Sequence, residues 1–243
     1  MRKVLFAAVL AAALSVAAPA TAVSVHHGGV LQAPNHKISQ STSSNWAGYA
    51  ATGTTFNSVS SSWTQPTATC TKTQTYSSFW VGLDGYSSNS VEQTGTDADC
   101  SATGVPSYYA WYEMYPKFPV NLSTSSYPVS PGDHLSASVV AAGRNSFTLT
   151  IANATKGWTY RTVQKHKAAR SSAEVIAEAP SSSSGVLPLT NFGTVNFGSS
   201  MANGQSLASL NPDKIDMVSG TTTKATTGSI STSGAFSVTW KHA

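Results

Sequence analysis

The sequence predicts an all-β protein: a single-domain antiparallel β-sandwich of jelly-roll or concanavalin-like type. Three observations carry this. Short runs of alternating apolar and polar residues recur along the chain. Turn chemistry separates them at short intervals. Beyond the N-terminus, nothing sustains a helical period for long, which leaves sheet packed on sheet as the way to bury the apolar faces.

The first element is a secretion signal. Arg2 and Lys3 supply a positive start, Val4 to Ala18 an apolar stretch, and Ala20-Thr21-Ala22 a small-residue cleavage site. Residues 1–22 are therefore expected to leave, giving a secreted, extracellular chain. The apolar stretch is too short to span a bilayer, and no later segment reaches about 18 consecutive apolar residues, so no membrane partner is expected. Residues 23–43 are rich in Gly, His, Pro and Ser and read as a short pro-segment or flexible lead-in. Its histidines, His26, His27 and His36, fit a linker better than a metal site.

From residue 44 to 243 the chain reads as one domain without repeats. Leu135, Ala137 and Val139 alternate with Ser136 and Ser138. Phe147, Leu149 and Ile151 do so after the Gly143-Arg144-Asn145 turn, and Phe236, Val238 and Trp240 near the C-terminus. Ser130-Pro131-Gly132-Asp133, Asn211-Pro212-Asp213 and Ser231-Thr232-Ser233-Gly234 mark turns. About 220 residues is an ordinary length for such a sandwich and enough for a substantial core. The two cysteines, Cys70 and Cys100, are expected to pair in an oxidising compartment, closing a loop worth roughly 3–4 kcal/mol.

Charge excludes little but directs attention. Of 14 basic residues, Arg2 and Lys3 go with the signal, leaving 12 against 10 acidic ones, which gives no reason to expect a nucleic-acid partner. Lys165, His166, Lys167 and Arg170 form the one basic cluster and read as a solvated loop. The sequons Asn121-Leu122-Ser123 and Asn153-Ala154-Thr155 are candidate glycosylation sites. A monomer is the default expectation.

The ten carboxylates after the signal are few enough to sort. Asp133, Asp213 and Asp216 lie in or beside turns and read as structural. In Tyr108 to Pro116, alternation puts Tyr109, Trp111, Glu113 and Tyr115 on one face, a carboxylate among three aromatics. Such a face either belongs to the core or lines a groove for an extended polymer. Glu174, Ile176 and Glu178 share a face opposite Val175 and Ala177, and periodicity does not choose between the two glutamates. No Gly-x-Ser-x-Gly elbow, zinc motif or phosphate-cradling loop is present. No metal or cofactor is expected. An acidic groove fits either a peptidase or a glycoside hydrolase using Glu113 and Glu178. A non-catalytic module using Trp46, Trp80 and Trp111 as stacking platforms is the third reading.

Ordered motifs separate these. Ser44-Asn45-Trp46-Ala47-Gly48, Val59-Ser60 to Pro66, Trp80-Val81-Gly82-Leu83-Asp84-Gly85, Gln93-Thr94-Gly95, Ala110 to Pro116 and Ala173-Glu174-Val175-Ile176-Ala177-Glu178 occur in that order. Together they resemble the glutamic peptidase (eqolisin) family, here as a secreted member of bacterial type. The resemblance implies two large packed sheets and an acid-acting endopeptidase of protein and peptide substrates. It places the catalytic glutamine at Gln93 and the catalytic glutamate at Glu178 rather than Glu174. Trp46, Trp80, Asp84, Asp97, Glu113 and Tyr115 would line the cleft. Glu178 would act as general base and then acid, with Gln93 holding the oxyanion, and nearby hydrogen bonds are expected to hold the Glu178 pKa low enough for it to be partly ionised in acid. Tyr109 stands where many fungal members carry Asp, Val175 replaces a common aromatic, Met114 a common Trp, and the lead-in is short.

Overall fold

The structure is a computed structural model and describes residues 42–143 and 145–243. The signal and the lead-in up to residue 41, with its three histidines, lie outside the described residues. Among the described residues, thirteen strands of five residues or more form the framework. They are β1 (Trp46–Ala51), β2 (Ser58–Thr64), β3 (Ser78–Leu83), β4 (Val91–Cys100) and β5 (Pro106–Tyr115). There follow β6 (His134–Ala141), β7 (Ser146–Asn153), β8 (Trp158–Lys165) and β9 (Ala173–Glu178). The chain closes with β10 (Thr194–Ala202), β11 (Asp213–Ser219), β12 (Thr222–Thr227) and β13 (Phe236–Trp240).

Their hydrogen-bonded order is β8-β7-β6-β2-β10-β13-β12-β11-β1-β9-β3-β4-β5, with Val120–Asn121 on the outer edge of β5. The path folds back on itself at β11, which pairs with β12 in one sheet and with β1 in the other. All pairings between these thirteen strands are antiparallel. The result is the expected all-β sandwich. Thr42–Ser43 already pairs with β11, in parallel, so regular structure begins inside the segment read as a lead-in.

The core between the sheets follows from alternation. Phe79, Val81 and Leu83 of β3, Val175 and Ala177 of β9, and Tyr49 of β1 meet Leu135, Val139, Phe147, Leu149, Ile151, Val195 and Phe197 from the opposite sheet. Residues one step along face away from this core and form a second, smaller apolar cluster described below. Cys70 and Cys100 are bonded, tying the end of β4 to the loop before β3. The turn aspartates behave as expected: Asp133 accepts from the Ser130 N–H at 2.8 Å, and Asp216 accepts from the Thr227 N–H at 2.6 Å. Asn153 is fully buried and donates its amide to Asp133 at 2.7 Å, so that sequon is inaccessible in the folded chain, whereas Asn121 is exposed.

Candidate active site

The face of the β11-β1-β9-β3-β4-β5 sheet turned away from the core carries nearly all the singled-out residues. Register arranges them in rows. Trp46, Glu178, Ser78, Asp97 and Tyr109 lie side by side across β1, β9, β3, β4 and β5. Two residues along come Ile176, Trp80, Gly95 and Trp111, and two further Ala50, Glu174, Gly82, Gln93 and Glu113. Alternation thus predicts the face correctly for Tyr109, Trp111, Glu113 and Tyr115, and for Glu174, Ile176 and Glu178. The two glycines have a steric reason. A Cβ at Gly95 would run into the Phe79 carbonyl oxygen and lie 2.6 Å from the Trp80 Cβ, so only glycine lets Trp80 and Trp111 flank this position.

The aromatic side chains form a wall rather than a platform. Trp46 and Trp80 meet edge to face at 5.0 Å, and with Trp111, Val91 and Ile176 they make a cluster against which Tyr86, Tyr109 and Tyr115 pack. All three tryptophans are fully buried.

Glu178 sits in a nest of donors. The Asn45 amide reaches its Oε1 at 3.2 Å and the Trp80 indole its Oε2 at 2.8 Å. Asn45 is itself fixed locally: the Ser43 hydroxyl donates to its Oδ1 at 3.0 Å and accepts from the Trp46 N–H at 3.1 Å. On the next-but-one strand, Gln93 Nε2 donates to Glu113 Oε2 at 2.8 Å. Glu113 links the two centres, because its charge also acts on Glu178. Burial is the largest influence on Glu178 and, with Glu113, raises its pKa well above the ordinary value, against the lowering effect of Trp80, Asn45 and Trp46. The expectation of a low pKa is therefore corrected: desolvation of a fully enclosed carboxyl outweighs three donors.

Asp84 departs from the expected cleft. It stands at φ 70 just beyond β3, and its carboxylate accepts from the Arg170 and Ser171 N–H groups at 2.6 and 2.8 Å, so it organises the 170–172 loop. Its neighbour Glu92 points to the core side of β4, where burial first and the Asp84 charge second push its pKa up to about 9. Glu174 lies at this same end and is raised by burial, with Asp84 and Glu92 adding to it and Ser172 opposing. Asp97, by contrast, does lie on the cleft face, accepting from the Trp111 indole at 2.6 Å and from Tyr109 at 2.8 Å. Tyr115 is half-buried at the cluster's rim. The Tyr86 hydroxyl donates to Asp213 at 2.8 Å, giving a bond from the β3–β4 loop to β11. Among the described residues, no three His, Cys, Asp or Glu side chains are grouped to hold a metal ion.

Two residues of this site escape the sequence reading. Asn45 lies inside a recognised motif without a role assigned to it. Ser78 carries no signal of its own, since its place beside Glu178 comes from cross-strand register.

Comparison with known proteins shows the family and the fold. The model of the Peptidase A4 family matches residues 44–240. Aspergillopepsin-2 of Aspergillus niger is 32% identical over 122 residues, and the match spans 48% of this chain and 42% of that protein's length. The chain thus covers less than half of that curated relative. Among solved structures, scytalido-glutamic peptidase with a transition state analog inhibitor superposes with a TM-score of 0.70 at 26% identity, covering 82% of this chain and 98% of the other. Aspergilloglutamic peptidase from Aspergillus niger gives 0.59 at 26% identity, covering 68% and 99%.

Proposed function

The chain belongs to the Peptidase A4 family, and from that premise we propose that it is a secreted glutamic endopeptidase cleaving peptide bonds by direct attack of water. Glu178 is the base and then the acid, and Gln93 the oxyanion donor. The observation that carries this reading is that Gln93, Glu113 and Glu178 project from one enclosed sheet face, with Gln93 bonded to Glu113 and the Glu113 charge acting on Glu178.

The chemistry follows from the groups present. Burial favours the protonated form of Glu178. Water entering the cleft with a peptide relieves part of that desolvation and lets the carboxyl ionise. The carboxylate takes a proton from water as its oxygen bonds to the scissile carbon, and the carbonyl π pair moves onto oxygen. A Gln93 N–H, turned from Glu113 towards that oxygen, stabilises the charge, a role typically worth about 2.7–4 kcal/mol. Glu178 then returns its proton to the nitrogen as the C–N bond breaks, releasing amine and acid. A neutral amide suits the oxyanion because it donates at any pH.

Glu113 holds Gln93 in place and keeps a second carboxyl near Glu178. Asn45, Trp80 and Trp46 orient Glu178. Trp46, Trp80 and Tyr115 form the apolar wall, and Asp97 the polar floor, against which a peptide would lie. The alternative glycosidase pairing leaves the Gln93–Glu113 bond without a purpose.

Gln93→Ala and Glu178→Gln are each expected to lower kcat on a casein or peptide substrate by about a hundredfold or more at acidic pH, with melting temperatures showing both variants folded. A folded Glu178→Gln with wild-type turnover refutes the assignment.

A further inference from the structure

Thr42–Ser43 runs parallel to β11, with Ser43 opposite Met217, and the chain then turns through Ser44-Asn45 into β1. The turn is fastened from two sides. The Ser43 hydroxyl accepts from the Asn45 N–H at 3.3 Å and from the Trp46 N–H at 3.1 Å, as a serine does when it closes a turn onto the backbone just ahead of it. The N–H of Ala179, the residue after Glu178, donates to the Asn45 carbonyl at 2.8 Å. Backbone bonding therefore stands Asn45 beside Glu178, and its amide reaches Glu178 Oε1 at 3.2 Å. Ser43, Asn45 and Glu178 are all buried.

The capacity of the hydroxyl decides which way the Asn45 amide points. A serine hydroxyl has one proton and two acceptor positions. Both acceptor positions of Ser43 are taken by the two backbone N–H groups, so its proton is what remains for Asn45, whose Oδ1 lies 3.0 Å away. With the amide reversed, Nδ2 would meet a hydroxyl with no acceptor position left, and a buried O–H would face another donor, at a real cost. With Oδ1 turned to Ser43, Nδ2 faces Glu178. A carboxamide can in general serve either form of a carboxyl, donating through nitrogen to the ion or accepting through oxygen from the acid. Ser43 removes the second option.

We propose that Ser43 is a positioning residue of the active site: its hydroxyl sets the polarity of the Asn45 amide, so that Asn45 always faces Glu178 as a donor and favours the carboxylate that takes a proton from water. It reaches the reacting atoms only through Asn45. Ser43 thus belongs with the cleft and not with the lead-in that was expected to end on it. The kinetic part rests on the peptidase reading, and the polarity part does not. Glu113, whose charge raises Glu178, and Asp97 and Tyr109, in its row on β4 and β5, keep their places in the variants below.

The test compares S43A, N45A and the double variant S43A/N45A with the wild type, each checked for folding by its melting temperature. Two readings are taken: the titration of the Glu178 carboxyl carbon by NMR, assigned with E178Q, and kcat, KM and the pH profile on a quenched peptide. S43A should move the Glu178 midpoint to higher pH, because the amide can then turn its oxygen to the protonated carboxyl. It should also lower kcat about fivefold or more with KM little changed. In the N45A background the same substitution should change neither reading further. Should S43A not fold, S43C, whose thiol is only a weak donor and acceptor, is read in the same two ways. An unmoved Glu178 midpoint overturns the proposal, as does a loss of kcat that is the same with and without Asn45. If the wild type cleaves no peptide, the peptidase reading falls, while the NMR titration still decides the polarity of Asn45.

Discussion

Glu92 offers a direct test of how burial governs this protein. Its carboxyl faces the core side of β4, fully enclosed, and its pKa is raised from 4.5 to about 9. His166 Nε2 lies 3.7 Å from Oε1, yet this is not an ion pair. Burial, with Lys117, lowers the His166 pKa from 6.5, so between there and 9 both partners are neutral. The sign of the linkage is fixed by the upward shift. Below 4.5 the carboxyl is protonated in folded and unfolded chains alike and contributes no pH dependence. As pH rises from 4.5 to 9 the unfolded chain ionises and the folded one does not, so stability falls by ~1.4 kcal/mol per unit. By pH 7 the loss is roughly 3 kcal/mol. Glu92→Gln keeps the shape and cannot ionise. It should match the wild type within about 1 kcal/mol at pH 4 and exceed it by roughly 3 kcal/mol at pH 7, or about 6–12 °C in melting temperature for a domain of this size. Urea unfolding and thermal melts at both pH values read this directly. A variant equally destabilised at pH 4 and pH 7, or one that gains nothing at pH 7, refutes the reasoning.

Other outcomes follow from the same geometry. Trp80→Phe removes the indole donor from Glu178 and should raise the Glu178 pKa further, moving the acid limb of the kcat/KM profile to higher pH; an unmoved limb contradicts the role given to Trp80. Gly95→Ala forces a Cβ against the Phe79 carbonyl and should cost about 3 kcal/mol or more, seen as a lower denaturation midpoint or loss of folded protein. Replacing Cys70 and Cys100 together by Ser frees a loop with a sequence separation of 30 and should cost about 2–4 kcal/mol, measured by denaturant unfolding in non-reducing buffer.

Much of the cleft was legible because a strand declares its faces. Once Trp111 and Glu113 are known to alternate, and Ile176 and Glu178 likewise, each strand's contribution is set by parity alone. Glycines between bulky groups, such as Gly95, were present in the motifs but gained meaning only from register. Asp84 was misjudged because its positive φ turns the side chain off the strand pattern into the 170–172 loop. The Glu178 pKa was misjudged because enclosure is a tertiary property that no local run reveals. Asp99 looked like one more polar residue, and the Tyr109 hydroxyl that it accepts from comes from another strand. That β11 serves both sheets was invisible for the same reason: nothing in Asp213–Ser219 records how many neighbours it will have.

Because β11 joins the two sheets into a continuous ladder, the sandwich has few places where another chain can add on. Among the described residues the path ends at β8 and at the two-residue strand Val120–Asn121. β8 exposes Arg161 and Lys165, cations that disfavour stacking of like edges, and Val120–Asn121 is too short to template a partner. A strand-rich chain built this way offers few backbone edges on which a copy of itself can add a strand.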